Sequence, residues 1–159
     1  MKRVPFKKYK HLLARKNLRV RGISDSSILK EEIQALLREI SIIRDGGCVF
    51  RKYPESGVCG GFRKDGKLIL QFDHLNSRTH AISFSNPDLG ICVCKRHHIF
   101  WKKQYSAQYE AIARKIIGIK RCKILDAVRA DRHAYKIDLK LAKLALEQEL
   151  FILNGTKKT

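Results

Sequence analysis

Residues 71–98 read QFDHLNSRTHAISFSNPDLGICVCKRHH and hold four of the six histidines in the chain. A β-prone run, Leu68 to Phe72, leads into Asp73-His74, and Ala81 to Phe84 is a second β-prone run beyond a polar loop. At the end of this segment the apolar spacing becomes helical. We therefore expect an α+β fold that is mostly helical, in which a two-stranded ribbon carries the polar chemistry.

The cysteines and histidines have a spacing that is typical of a zinc site. Cys94-Lys95-Arg96-His97 places a Cys and a His two residues apart, and the upstream Cys48 and Cys59 form a looser pair. Zn²⁺ prefers four thiolate or imidazole ligands in a tetrahedron. The alternative is that these are ordinary buried or unpaired cysteines. We predict that Cys48, Cys59, Cys94 and His97 together bind a structural Zn²⁺.

The remaining cysteines fit a reducing compartment. The chain has five cysteines, an odd number, and its basic N-terminus is not followed by the apolar run of a secretory signal. A metal site is therefore favoured over a disulfide framework, and we expect a cytoplasmic location in a bacterial or phage-infected cell. Cys92 could replace Cys94 as a ligand, but Cys92 and Cys122 are predicted to be small core residues.

A second metal site is predicted where the first β-prone run ends. An aspartate and a histidine from separate elements can hold one divalent cation and leave positions for water and a phosphate oxygen. Asp73 and His98 are thus candidate ligands for a catalytic Mg²⁺ or Mn²⁺. His74 points to the other side of a strand from Asp73, and histidine titrates in the range that suits a general base. The alternative is a surface turn beside a basic helix.

Helices are predicted on both sides of this segment. Residues 24–45 have apolar residues at helical spacing, serines at the start and Gly46-Gly47 at the end. The last predicted helix, 137–153, has two apolar stripes. It should pack on the 24–45 helix or form a homodimer with its equivalent in a second subunit. Between them, helices are predicted over 97–103, over 107–117 ending at Gly118, and over 120–129.

Basic residues dominate the composition. Lys and Arg number 34 against 15 Asp and Glu, which gives a formal net charge of +19. This charge predicts a polyanionic partner, DNA before an anionic membrane. No stretch approaches the roughly 18 consecutive apolar residues of a spanning helix, so no membrane partner is expected. The expected organisation is a basic arm over 1–22, a core with its preceding helix over 23–118 and a helical extension over 119–159.

The runs Gln71 to Arg78 and Asn86 to His98 resemble the motif of the His-Asn-His (HNH, ββα-metal) endonucleases. The resemblance covers roughly residues 36–118 and is to phage-encoded members, including the Rap-type recombination nucleases. Those proteins also have Arg-Asp-Gly before the first zinc cysteine, as at 44–46, and a helix ending in Ile-Gly, as at 117–118. The resemblance implies a zinc-stabilised ββα-metal core with flanking N- and C-terminal helices. It implies the roles already given for Asp73, His74, His98 and the four zinc ligands.

Two departures from the family pattern affect the site. The family usually has Cys-x-x-Cys-His where this chain has Cys94-x-x-His97-His98, although histidine also ligates zinc. The middle Asn of the family falls at Leu89 here, and the nearest asparagine is Asn86. Either Asn86 fixes the loop through backbone hydrogen bonds from a shifted position, or that role is absent. Asn86 is therefore a candidate catalytic residue.

Residues and resemblance together predict a DNA endonuclease that hydrolyses phosphodiester bonds with one Mg²⁺ or Mn²⁺, on branched, flap or junction DNA. One alternative is a homing or restriction-type nuclease that reads a duplex sequence. Another is a non-catalytic, zinc-stabilised DNA-binding module, and RNA binding also fits the charge. Trp101 is predicted to be a core residue. The candidate phosphate contacts are Arg78, Arg96, Lys102 and Lys103.

Overall fold

The computed structural model describes residues 24–77, 80–131 and 136–156. Within those ranges the chain is mostly helical around one two-stranded sheet, which confirms the predicted α+β class. The predicted basic arm, 1–22, lies outside the described residues. No helix in the described part of the chain combines the length and the apolar character that crossing a membrane requires.

The main elements follow one another as alternating helices and strands. In chain order they are α1 (Asp25–Asp45), β1 (Leu70–His74), α2 (Ala81–Ser85), β2 (Gly90–Cys94), α3 (Lys102–Gln104), α4 (Ser106–Ala130) and α5 (Leu139–Thr156). Short 3-10 turns cover Val49–Lys52, Pro54–Ser56 and Pro87–Leu89. A π-helical turn, His97–Trp101, directly precedes α3, and in it the amide of Lys102 donates to the carbonyl of His97, five residues back.

Helix α1 begins and ends as its sequence predicts. The Ser24 hydroxyl accepts a hydrogen bond from the amide of Ser27 at 3.3 Å, which caps the first turn. Gly46 has a φ of +68°, and its amide donates to the carbonyl of Ile42, a left-handed helix end that glycine adopts without strain. The buried side of the helix carries Ile28, Ile33, Leu37 and Ile40. These confirm the predicted helix over 24–45.

The sheet is built differently from the predicted ribbon. β1 pairs antiparallel with β2, so that Asp73 faces Ile91 and Phe72 faces Cys92. The predicted second strand, Ala81 to Phe84, is wrong, because this run forms α2. Every residue of β2 is buried, so the strand lacks the alternation of polar and apolar residues that marks a half-exposed strand. A short apolar run such as Ile-Ser-Phe can form either a strand or a helix, and the pairing of β1 with β2 leaves it outside the sheet.

Gly90, the first residue of β2, leaves room for a phenylalanine ring. A Cβ atom added there would lie 2.1 Å from the Phe72 ring, whereas the φ of −155° is one that any residue adopts. Gly90→Ala should therefore lower the free energy of unfolding by about 1–3 kcal/mol through overpacking. Urea denaturation measures this change. Gly155→Ala is the control, because nothing lies within 4 Å of its added Cβ; equal stability of the two variants would contradict the predicted clash.

Helix α4 bends at Gly118, where φ is +74° and ψ is 171°. The predicted helices over 107–117 and 120–129 are thus the two halves of one bent element. Salt bridges join the halves: Arg114 binds Asp126 at 2.5 Å, and Arg129 binds Glu110 at 2.7 Å. Both halves bury apolar side chains in the core around the sheet, including Ile112, Ile117, Leu125 and Val128.

Helix α5 packs on α1, which is one of the two arrangements that its apolar stripes predict. Leu146 is buried in one cluster with Ile33 and Leu37 of α1, and Lys143 binds Glu32 at 3.1 Å. The opposite side of α5 exposes Leu141, Leu144, Phe151 and Ile152. The homodimer through this helix stays a prediction, and it would use that exposed side.

Candidate metal centre and candidate active site

Three cysteines and one histidine come together beside the end of β2. Cys48 precedes the first 3-10 turn, Cys59 follows the second, Cys94 is the last residue of β2 and His97 opens the π turn. Their ligand atoms all lie within 4.8 Å of one another, and His97 Nδ1 is 3.0, 3.4 and 3.9 Å from the sulfurs of Cys94, Cys48 and Cys59. This cluster is the predicted set of zinc ligands.

The geometry of the cluster fits a tetrahedral zinc ion. Zn–S and Zn–N bonds of ordinary length put sulfur and nitrogen about 3.6 Å apart in a tetrahedron, within the range of the three observed distances. His97 Nε2 lies 3.1 Å from the carbonyl oxygen of Ser56, to which it can donate. That hydrogen bond puts the proton on Nε2 and leaves the lone pair of Nδ1 directed at the sulfurs. The four residues could therefore hold a metal such as zinc.

The three thiols of the cluster differ in pKa. A hydrogen bond with the Cys48 thiol lowers the pKa of Cys94 to about 3, and the same bond, together with burial, raises the pKa of Cys48. Burial also raises the pKa of Cys59. Three neighbouring thiolates repel one another, so only a cation among them allows all three to ionise.

The two other cysteines lie outside the cluster. Burial raises the pKa of Cys92 to about 12, and its amide donates to Asp45 at 2.8 Å. Cys122 is half-buried, and its thiol donates to the carbonyl of Arg114. Neither contributes a ligand atom to the cluster among the described residues. Both positions agree with the predicted core roles.

Asp73 and His98 meet beside this cluster. Asp73, on β1, has 2% of its surface exposed, and its Oδ1 lies 3.1 Å from Nε2 of His98, which directly follows the zinc-ligand candidate His97. On the other side of the imidazole, Nδ1 lies 2.7 Å from the Gln71 side-chain oxygen. With Nδ1 as the donor to Gln71, the lone pair of Nε2 faces the carboxylate. Two such atoms need a proton or a metal ion between them.

The separation of these two atoms suits a shared divalent ion. Octahedral Mg²⁺ with ligands at about 2.1 Å places neighbouring ligand atoms about 3.0 Å apart. Gln71 and Tyr109 hold the His98 and Asp73 side chains from behind, as supporting residues would in a metal site. Tyr109 is buried, and its hydroxyl donates to Asp73 Oδ2. Neither Gln71 nor Tyr109 was among the predicted site residues.

Lys102 also binds the Asp73 carboxylate. Its ammonium lies 2.7 Å and 2.8 Å from the two carboxylate oxygens and 3.3 Å from the carbonyl oxygen of His74. Burial alone would raise the pKa of Asp73, but hydrogen bonds from His98, Lys102 and Tyr109 outweigh it and hold this pKa below its usual range. A divalent ion at Asp73 would have to share the carboxylate with Lys102 or displace it.

His74 lies next to Phe72 and α2. It is 7% exposed, its ring meets that of Phe72 edge-on at 4.7 Å, and its Nε2 lies 3.4 Å from the carbonyl oxygen of Phe84. Donation to this carbonyl places the proton on Nε2 and makes Nδ1 the basic nitrogen. The orientation away from Asp73 is the one that strand geometry predicts for neighbouring residues.

The loop before β2 is fixed by an asparagine. The Asn86 side-chain oxygen accepts from the amide of Asp88 at 2.9 Å and so caps the 3-10 turn of Pro87–Leu89. A second asparagine was missed by the sequence prediction: Asn76 donates to the Ser83 hydroxyl at 2.9 Å. Asn86 thus makes a backbone contact within its own turn, and its role in catalysis stays a prediction.

The candidate phosphate contacts have different surroundings. Arg78 lies outside the described residues. Arg96 is exposed and donates to the carbonyl of Val58 at 3.0 Å, and Lys103 is exposed on α3. Lys102 is bound to Asp73. Trp101 is buried against Phe50 and Tyr109, which confirms its predicted place in the core.

Comparison of the chain with protein-family models, curated proteins and solved structures finds no match. Function therefore has to be inferred from the geometry of the two sites, the charge of the chain and the resemblance carried by its motif.

Proposed function

We propose that this protein is a metal-dependent DNA endonuclease of the His-Asn-His class. The observation that carries the proposal is the pair Asp73 Oδ1 and His98 Nε2, 3.1 Å apart and oriented by Tyr109 and Gln71. The side-chain oxygen of Gln71 holds the second ring nitrogen of His98, which is the kind of support that a metal-binding histidine commonly has. The adjacent Cys3His cluster, which would hold a structural zinc ion, anchors His97 and so positions His98.

In this proposal the residues divide the work of hydrolysis. Asp73 and His98 would hold Mg²⁺ or Mn²⁺, which when bound polarises a phosphate oxygen and neutralises its charge. His74 accepts the proton of the attacking water at Nδ1, because its Nε2 donates to the Phe84 carbonyl. Lys102 binds the Asp73 carboxylate, and once released from it the ammonium would be free to bind a phosphate oxygen.

DNA is the substrate that the charge supports, since a chain at +19 binds polyanions strongly. The preference for branched, flap or junction DNA comes from the resemblance to phage recombination nucleases. Free thiols at the cluster suit the reducing cytoplasm of a bacterial or phage-infected cell.

Cleavage of labelled junction, flap and duplex DNA with added Mg²⁺ or Mn²⁺ tests the proposal. We expect cleavage near the branch point, and loss of cleavage in Asp73→Asn. Sharp cuts at defined sites on linear duplex would instead identify the homing or restriction-type alternative. If no DNA is cut with either metal, the nuclease proposal fails.

One observation favours a second candidate, a zinc-stabilised DNA-binding module without catalysis. The Asp73 carboxylate already has Lys102 on both oxygens and Tyr109 on one of them, so its charge is compensated within the chain. In that case the only role of Asp73 is to stabilise the fold. DNA binding would then persist in Asp73→Asn, and Mn²⁺ would not bind.

The contact of Lys102 with Asp73 yields a prediction that separates these candidates. If a divalent ion competes with the ammonium for the carboxylate, Lys102→Met should tighten Mn²⁺ binding by about tenfold, which is about 1.4 kcal/mol. Isothermal titration calorimetry of the zinc-loaded protein measures this affinity. Lys103→Met is the matched control, as its exposed side chain is the next along the helix. Unchanged or weaker Mn²⁺ binding in Lys102→Met would count against a metal at Asp73.

A further inference from the structure

A tight hairpin leads directly into β1. Within it the amide of Ile69 donates to the carbonyl of Gly61 at 2.8 Å, and the amide of Arg63 donates to that of Lys67 at 2.8 Å. Gly66, at φ +77°, supplies the left-handed residue that closes the turn. The tip of the turn, residues 63–67, is exposed and is held by its own hydrogen bonds, whereas Leu68 at its base packs against the core.

Cations line this hairpin and the chain beside it. A Cβ atom added to Gly61 would lie 2.7 Å from that of Lys95, and one added to Gly60 would lie 3.3 Å from that of Arg96. The two glycines thus bring the hairpin against Lys95 and Arg96. Asp65 is the only acid in residues 60–69, and its Oδ1 accepts from the amide of Lys67. We call this surface the basic hairpin; its cations are Arg63, Lys64, Lys67, Lys95 and Arg96, all exposed.

Several arginines elsewhere in the described chain are already bound to other parts of the fold. Arg44 binds Asp45 and two backbone carbonyls, Arg121 binds two carbonyls of the loop before β2, and Arg129 binds Glu110. These arginines hold the fold together. Within the described part of the chain, none of the five cations of the basic hairpin forms a salt bridge. Their charge is available to a partner.

An aromatic ring stands among these cations. Phe62 pairs with Leu68 at the base of the turn and is 60% exposed, whereas Phe50 and Phe72 are almost fully buried. Arginine and lysine bind the phosphates of a single strand, while an exposed ring stacks on its bases. A duplex keeps its bases stacked inside, so a ring of this kind gains most from an unpaired base.

We propose that the basic hairpin binds a single-stranded segment of the DNA substrate, with Phe62 stacked on an unpaired base. Leu68 precedes Asp73 by five residues of extended chain, or about 17 Å. That length spans about five base pairs along the axis of a B-form duplex, and fewer nucleotides of an extended single strand. With the scissile phosphate at Asp73, a placement that rests on the proposed function, the unpaired bases lie within about five nucleotides of the cut.

Fluorescence anisotropy of labelled oligonucleotides, without added divalent metal, tests the hairpin separately from cleavage. Phe62→Ala should weaken binding to a single strand by about tenfold and leave binding to a blunt duplex nearly unchanged. Phe151→Ala is the control, because that ring is 79% exposed on α5 and lies outside the hairpin. Replacing Arg63, Lys64 and Lys67 by Gln should reduce the salt dependence of single-strand binding by about two in the log–log slope. The same change at Lys115, Lys120 and Lys123, exposed on α4, controls for net charge.

Equal effects of Phe62→Ala on single strand and duplex, or an effect no larger than that of Phe151→Ala, would overturn the proposal. So would competition by poly-glutamate as strong as by single-stranded DNA, because the hairpin would then suit an acidic protein. Loss of single-strand binding in Phe62→Ala supports the hairpin even if no DNA is cut. If the protein cuts DNA but Phe62→Ala binds single strands normally, the nuclease proposal stands and the proposed role of the hairpin is wrong.

Discussion

Replacing His74 with alanine should lower the rate of DNA cleavage by about 10²- to 10⁴-fold, the usual contribution of a general base. The chain would keep its fold, its zinc and its DNA affinity. The Phe84 carbonyl and the Phe72 ring fix the imidazole, while the backbone of His74 remains bound to Lys102. Alanine removes the proton acceptor and leaves this backbone contact in place. Single-turnover cleavage of a labelled flap or junction measures the rate.

His98→Ala provides the matched comparison for this variant. Both changes should slow cleavage strongly, but only the loss of His98 should weaken Mn²⁺ binding, because His98 faces Asp73 and His74 lies away from it. Replacing a residue that hydrogen-bonds to a metal ligand typically costs about 10- to 100-fold in metal affinity, and loss of the ligand itself costs at least as much. Full activity of His74→Ala, or the same loss of Mn²⁺ affinity in both variants, would show that His74 is not the base.

Replacing Cys94 with alanine should remove zinc and unfold the centre of the molecule. Structural zinc contributes about 10–16 kcal/mol of apparent binding energy at neutral pH, comparable to the whole stability of a domain. Cys94 ends β2, and the other ligands come from separate segments that the ion would tie together. We expect loss of the cooperative melting transition and of stoichiometric zinc.

Trp101 reports this loss directly. It is the only tryptophan in the chain, and its ring centre lies 5.8 Å from that of His97 and 5.0 Å from that of Phe50. Its fluorescence should shift to that of an exposed indole in Cys94→Ala and on chelation of zinc. Cys122→Ala is the control, since this half-buried thiol lies outside the cluster. A Cys94→Ala protein that melts like Cys122→Ala would show that the cluster does not hold a structural metal.

The zinc cluster could be predicted because its signal is local. Two residues separate Cys94 from His97, a spacing that suits a shared ion whatever fold surrounds them. The capped helix α1 was equally clear, since Ser24 and Gly46 mark its ends. The second strand could not be predicted, because β2 is buried throughout and has no period. Strand pairing selected it over the equally apolar run that forms α2.

The partners of Asp73 show where sequence reasoning stops. Gln71 and Asp73 share a strand face, and His98 and Lys102 are four residues apart in helical backbone, so these two relations were readable. Tyr109 gave no such signal. It lies on the apolar side of α4, thirty-six residues after Asp73, and only the packing of α4 on β1 brings its hydroxyl to the carboxylate. Long-range contacts of this kind depend on tertiary packing rather than on local pattern.

The π-helical turn of His97–Trp101 has a consequence for chain length. It carries an extra residue relative to an α-helical turn, and it joins the zinc-ligand candidate His97 to two of the three side chains that contact Asp73, His98 and Lys102. Deleting one residue within it would rotate Lys102 by about 100° relative to His98. Side chains in this turn can therefore be substituted, but the number of its residues cannot change. The exposed tip of the hairpin around Gly66, where the hydrogen bonds lie within the turn, can change length without moving either site. Insertions should therefore be tolerated there and not at the π turn.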